Sequence, residues 1–286
     1  MPARVSGYGA SMLECVVNVS EGRDQTLIDS FAQSCQDCLL DVHSDGAHNR
    51  SVFTLAGLEV ESCVRRLARR VLASLDIRVH RGAHPRIGVL DVVPFIPLGD
   101  TPMSEAIEAR NRFCRWAGSE LALPCFTYGP ERSLPALRRE AFGNLAPQCG
   151  PAQAHPSAGG CAVGARGILV AYNLWLETAS LSQARSIAKE IRGPAVAALG
   201  FDLDGRAQVS MNLLDPAAVG PGRVYDEVAS RAVIERAELV GLIPQWLLDS
   251  EPAWRWARLG LCAQKTIEAR LGLLRPTDQA DTRWEE

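Results

Sequence analysis

Val79-His80-Arg81-Gly82-Ala83-His84-Pro85-Arg86-Ile87-Gly88 runs straight into Val89-Leu90-Asp91-Val92-Val93-Pro94-Phe95-Ile96-Pro97. The first half has no helical or strand period, and Gly82, Pro85 and Gly88 break it into a loop. The second half is almost continuously apolar, the signature of a buried strand. Pro85 biases His84 toward an extended backbone and so orients its imidazole. A loop that carries two histidines and two arginines, with Arg78 just upstream, holds its polar groups out for a purpose. His84 is the candidate for chemistry, and the rest of the chain is expected to build a cleft around it.

Outward from this stretch, apolar and polar residues alternate from Leu13 to Ser20, which predicts a half-buried strand. Asp24 is placed to cap a helix with Leu27, Ile28, Phe31 and Cys35 on its apolar face. Strands follow at Cys38–Val42 and Ser51–Ala56, separated by the polar loop His43–Arg50. A helix with Val60, Val64, Leu67 and Val71 inside leads to the His84 loop; its Arg65, Arg66, Arg69 and Arg70 form a solvated face. Beyond the strand Gly88–Ile96, Pro102 opens a helix at its first position, and Pro124–Tyr128 is a short strand. A Pro- and Arg-rich connection follows. Then comes a flexible segment, Gly150-Pro151-Ala152-Gln153-Ala154-His155-Pro156-Ser157-Ala158-Gly159, whose small residues let backbone amides approach a ligand.

A new unit begins at the strand Ile168–Leu176. It continues as a helix Ser180–Ile191, strands Ala195–Phe201 and Gln208–Leu214 about an Asp204-Gly205 turn, and a helix near Val224–Ile234. A strand Glu238–Leu242, a helical piece from Pro244, a helix Thr266–Leu273 and a polar tail over 275–286 complete it. Hairpins and crossovers together predict an α/β (α+β) fold of two subdomains, each a mixed β-sheet covered by helices. G-x-G-x-x-G after a strand, the G-x-x-x-x-G-K-[ST] phosphate loop and the G-x-S-x-G elbow are all missing.

The totals agree. A chain of 286 residues, 47% apolar, fills one large domain or two small ones. A net charge of −3 makes no case for nucleic acid. The basic residues are nearly all Arg, suited to gripping carboxylates. Nine cysteines, an odd number in mostly apolar surroundings, predict reduced thiols in a cytoplasmic protein. Cys35 and Cys38 form a CxxC without a second pair. No apolar run reaches membrane-spanning length, and residues 1–11 lack the apolar core of a signal peptide.

Three polar loops, Asn18–Arg23, His43–Arg50 and Arg78–Arg86, follow elements of the first unit and are expected to meet at one side of its sheet. His80 and His84 have the four-residue spacing of a helical metal pair, but Gly82 and Pro85 oppose a helix there. Histidines that satisfy backbone carbonyls would explain His155 or His48. General acid–base catalysis on an anionic substrate explains more of the His84 loop, because imidazole titrates near neutrality and Arg81 and Arg86 can hold carboxylates.

The residues Leu13–Gly22, Asn49-Arg50-Ser51-Val52 and above all Gly82-Ala83-His84-Pro85-Arg86-Ile87-Gly88 resemble the glutamate formimidoyltransferase family, the transferase half of formimidoyltransferase-cyclodeaminase. The likeness continues through Gly150-Pro151, Pro156-Ser157, Gly164-Ala165-Arg166, Ala171-Tyr172-Asn173, Gln208–Asp215 and Leu239–Pro244. The resemblance implies subdomains over 12–172 and 173–274 with a ligand cleft or tunnel between them. It implies transfer of a formimidoyl group between 5-formimidoyltetrahydrofolate and L-glutamate, in histidine degradation. Tetrahydrofolate would serve as the one-carbon carrier, without a metal, in a homodimer. By motif, His84 becomes the acid–base residue and Gly150 to Gly159 the folate loop. Asn18, His43, Asp45, Asn49, Arg50 and Arg86 become supporting residues.

This chain departs from the family pattern in several places. The D-x-D after the second strand reads Asp41-Val42-His43, with Asp45 as a stand-in. Bulky positions of the folate loop are Ala154 and Ala158. A cyclodeaminase half is lacking, so transfer alone is expected. Formyl transfer, another amine acceptor, and folate binding without turnover stay open as alternatives.

Overall fold

The alternating segment at the start forms β1 (Met12–Val19), which lies in the middle of a six-stranded sheet. The computed structural model describes residues 11–83, 85–203 and 205–273. His84, Asp204 and the tail over 275–286 therefore lie outside the described residues. The chain divides between Gly167 and Ile168 into two compact units.

In the first unit, Asp24 accepts from the Leu27 amide and starts α1 (Gln25–Ser34). A hairpin of β2 (Leu39–Asp45) and β3 (Arg50–Gly57) follows. Then come α2 (Val60–Ser74), β4 (Leu90–Leu98), α3 (Met103–Glu120), β5 (Cys125–Tyr128), α4 (Leu134–Glu140) and β6 (Cys161–Ala165). The strand order is β2-β3-β1-β4-β6-β5. The first four strands pair antiparallel, and β6 pairs parallel with both β4 and β5. Helices α1, α2 and α3 pack on one face, where Cys15, Val17, Phe53, Leu55 and Phe95 meet Phe31, Leu67 and Phe113. Burying each large side chain contributes about 1.5–3 kcal/mol, so this face holds the sheet in register.

Several expected boundaries move. His43, Ser44 and Asp45 belong to β2 rather than to a loop, because the hairpin pairs through to Asp45 and Arg50 and the Ser44 and Ser51 hydroxyls meet at 2.8 Å. Pro102 is the N-cap of α3, one residue before its first turn. The Pro- and Arg-rich connection contains α4, whose Ser133 side chain caps the Ala136 amide. Cys38 and Cys63 are joined by a disulfide, against the expectation of reduced thiols throughout. The short 3-10 turn before β2 brings Cys38 against α2, with the two Cα atoms 6.4 Å apart, a separation that a disulfide spans.

The second unit is a four-stranded sheet in the order β10-β7-β9-β8. It contains β7 (Val170–Leu176), α5 (Leu181–Ile191), β8 (Val196–Leu203), β9 (Arg206–Leu213), α6 (Pro221–Ala229) and β10 (Ile234–Val240). Short helices α7 (Gln245–Asp249) and α8 (Ile267–Arg270) follow. The mixed pairing of the first sheet does not recur, because each of these strand pairs is antiparallel. Ser180 and Gln183 form a capping box for α5. Helix α6 stops at Ala229, short of the expected Ile234, because Ile234 is already paired with Leu176 in β10.

Candidate active site

The three polar loops and the Gly150–Gly159 segment meet at one end of the first sheet. The Ser20 amide donates to the Val89 carbonyl at 2.8 Å, and its hydroxyl to the Gly88 carbonyl at 2.9 Å. Asn49 joins three loops by itself. Its Oδ1 accepts from the Gly22 amide at 2.9 Å, its Nδ2 donates to the Arg81 carbonyl at 2.9 Å, and its own carbonyl lies 3.0 Å from His80 Nε2. Asn49 has φ +48°, a left-handed conformation that asparagine tolerates better than most residues. The Ile77 amide reaches the Ser157 carbonyl, and the Val89 amide that of Ala158, at 2.7 and 3.0 Å. The Gly160 amide donates to the Ile87 carbonyl at 2.8 Å.

Gly88 and Gly159 face each other across an isolated bridge. A Cβ on Gly88 would fall 2.0 Å from the Gly160 carbonyl oxygen, and one on Gly159 would fall 2.4 Å from that of Ile87. The crossing of the two loops therefore needs hydrogen at both positions.

A row of side chains crosses the sheet on the face opposite α1, α2 and α3. Paired residues share a face, so His43, Val52, Asn18, Val92, Ala162 and Phe126 stand side by side from β2 to β5. Asp41 and Asp45 flank His43 on the same face of β2, by the two-residue repeat. The Asp45 carboxylate accepts from the His48 amide at 2.8 Å and so also pins the β2–β3 turn.

His80 is neutral and engaged. Burial, then the Arg86 charge, lower its pKa. Arg86 lies 2.6 Å from its Nδ1, while Nε2 faces the Asn49 carbonyl. As pH falls below about 6.5, the unfolded chain takes up this proton first. Stability is therefore lost from there down to the lowered folded value, below which the loss is complete. We expect the thermal midpoint to fall more steeply between pH 7 and 5 in the parent than in His80→Gln. Parallel slopes would remove His80 from this role.

Positive charge is in excess here. Arg50, Arg86 and Arg138 all act on the carboxylate of Asp91, which is 1% exposed. Arg138 forms an ion pair with it. Arg86 donates to the His48 carbonyl at 3.0 Å. Burial lowers the Arg50 pKa to about 10, so it stays cationic at neutral pH. Burial also raises that of Asp91, against the pull of Arg138. Arg81, expected to hold a carboxylate, bonds through Nη1 to the carbonyls of Arg78 and His80. Among the described residues, no three His, Cys, Asp or Glu side chains are grouped to hold a metal ion.

The Gly150–Gly159 segment has two parts. Gly150, Pro151, Ala152, Gln153 and Ala154 are exposed. His155 closes the rest into a turn, its Nδ1 accepting from the Ser157 and Ala158 amides at 3.3 and 3.0 Å. Pro156 lies at the surface and Ser157 is half-buried, while Ala158 is fully buried in the main core. Ala158 therefore offers no stacking surface outward.

The formiminotransferase domain, N-terminal subdomain, matches residues 12–166, more than half of the chain. The chain belongs to the formiminotransferase family. It is 34% identical over 268 residues to the glutamate formimidoyltransferase of Streptococcus pyogenes serotype M1, which covers 82% of this chain and 90% of that protein. It is 33% identical over 273 residues to the glutamate formimidoyltransferase of Thermoplasma acidophilum, with 83% and 90% covered. The Sus scrofa formimidoyltransferase-cyclodeaminase is 35% identical over 281 residues, 84% of this chain but 52% of that protein. The family model's match over 12–166 takes in the whole loop cluster.

Sequence reasoning missed Asp91 and Arg138 as members of the site. Asp91 carried a signal, as the lone charge in the apolar run Val89–Val93. Arg138 carried none that set it apart from Arg139.

Proposed function

We propose that the chain transfers a formimidoyl group between 5-formimidoyltetrahydrofolate and L-glutamate, with His84 as general acid and base. The observation that carries this reading is the meeting of four loops around the segment Gly82–Gly88, with three guanidiniums set against one carboxylate. Glutamate and folate both bear carboxylates, and a cationic pocket recognises them.

The chemistry needs one proton shuttle. The glutamate amine loses a proton as its nitrogen attacks the formimidoyl carbon. The bond from that carbon to N5 of tetrahydrofolate then breaks, and N5 takes up the proton. An imidazole near neutral pKa serves both steps. His80 is held by two partners, which leaves His84 as the histidine of this loop for the role. Exposed Gly150–Ala154 offers backbone to the folate.

Arg50 is the guanidinium best suited to receive the amino-acid carboxylate. Among the described residues it has no hydrogen-bond or ion-pair partner. Incubation of the full chain with 5-formimidoyltetrahydrofolate and glutamate should release tetrahydrofolate and N-formimidoylglutamate. Arg50→Met should raise KM for glutamate about tenfold to a hundredfold, the worth of a charge-assisted hydrogen bond, with kcat little changed. Folate binding without release of product would favour a binding protein. That second reading draws support from His43, which stands where the family pattern has an aspartate.

A further inference from the structure

We infer that Asp91 and Arg138 form a positioning clamp for the backbone that leaves His84. The inference rests on the catalytic reading of His84 and adds two residues to it. Arg138 projects from α4, and its Nη1 donates to the Pro85 carbonyl at 2.8 Å. Its Nη2 pairs with the Asp91 carboxylate. The other carboxylate oxygen of Asp91 accepts from the Ile87 amide at 2.8 Å. One ion pair thus holds the chain at two points, one and three residues after His84.

The position of Asp91 in its strand supports this role. β1 and β4 pair with Asn18 opposite Val92 and Val19 opposite Leu90, so the register shifts by one and Asp91 is the extra residue. Such a bulge re-aims a side chain out of the strand's alternation. Here it sends a carboxylate to the loop rather than to the sheet face.

Energetics argue in the same direction. The Asp91 side chain is 1% exposed and that of Arg138 17%. A buried ion pair costs desolvation that its attraction barely offsets, and apolar side chains of similar size are often as stable. Arg138 Nε is buried without a partner, a further cost. A pair that adds little stability, yet spends its bonds on Pro85 and Ile87, is explained by where it holds them. A catalytic base displaced by about 1 Å loses on the order of a hundredfold in rate.

The test uses the full chain and four variants: Asp91→Asn, Arg138→Met, the double variant, and Arg138→Lys. Each single loss should lower kcat about tenfold to a hundredfold, leaving KM for folate within about threefold, as expected when positioning rather than ground-state binding is lost. The double variant should be no worse than either single one, because both remove one clamp. In a His84→Ala background the double variant should cause no further loss. Arg138→Lys, which reaches one acceptor instead of two, should keep the parent's thermal midpoint and still lose about fivefold or more in kcat. This variant decides the matter if the double variant does not fold.

Parent kcat in folded Arg138→Lys would overturn the clamp, as would an equal fold-loss with and without His84. An active His84→Ala would instead overturn the catalytic reading on which the clamp rests, and the two failures are told apart by that variant alone.

Discussion

His84→Ala is expected to lose about a hundredfold to ten-thousandfold in kcat, the usual contribution of a positioned acid–base group, while folate still binds. The surrounding loops are joined by several hydrogen bonds among themselves. Ser20 to Gly88, Asn49 to Gly22 and Arg81, and Ile77 to Ser157 are made by other residues. The measurement is steady-state turnover beside folate titration on the same sample. Turnover equal to the parent's would end the assignment. Loss of both binding and turnover would assign His84 to ligand recognition instead.

Gly88→Ala should have the largest effect on stability. Its new methyl would meet the Gly160 carbonyl oxygen at 2.0 Å and that of Ala158 at 2.4 Å. Both are backbone atoms, so relief requires the loops to part. That breaks the Val89 to Ala158 and Gly160 to Ile87 hydrogen bonds, each near its best length. Overpacking against flexible side chains costs about 1–3 kcal/mol, and a rigid backbone obstacle takes the cost to about 3 kcal/mol or beyond. The thermal midpoint should fall by on the order of 10 °C. Gly193→Ala, with nothing within 4 Å of its new methyl, is the control and should stay near the parent. Equal midpoints for the two variants would show that the loops do not cross as described.

The reading of the sequence succeeded where local period and burial coincide. Leu13, Cys15, Val17 and Val19 alternate in the chain and all face the helices. Asp24 and Ser180 cap the helices whose starts they mark. It failed where a partner far along the chain decides the local structure. His43–Asp45 looked like loop because they are polar, yet β3 supplies their pairing. The run Cys161–Ala165 is too short and too Gly-flanked to announce a strand, and it becomes one because β4 and β5 flank it. Cys38 and Cys63 lie 25 residues apart and carry no mark of pairing.

The site divides in the same way. The convergence of the loops around Asn49 was legible from Gly, Pro, His and Arg following strands. The distribution of tasks among those residues was not. His80 has the look of a catalytic residue and is spent on loop geometry, while His155, for which a structural role was open, closes a turn. Ala158 looked like missing ligand surface and is core. Arg81 bonds to neighbouring carbonyls, while Arg138, in a helix that the sequence did not announce, reaches the loop that matters.

The parallel placement of β6 between β4 and β5 bears on how the molecule comes into being. The last loop to join the cluster, around Ala158, lies far along the chain from Ser20, Asn49 and Val89, and its support β6 comes later still. Contacts of such long sequence separation form slowly, because a large loop must close before they stabilise anything. During synthesis from the N-terminus, β1 to β4 and the helices on them can collapse while the His84 loop still lacks its floor. The nascent chain therefore acquires its core before its candidate site, and a chain halted before Gly160 would be a scaffold without the complete loop cluster.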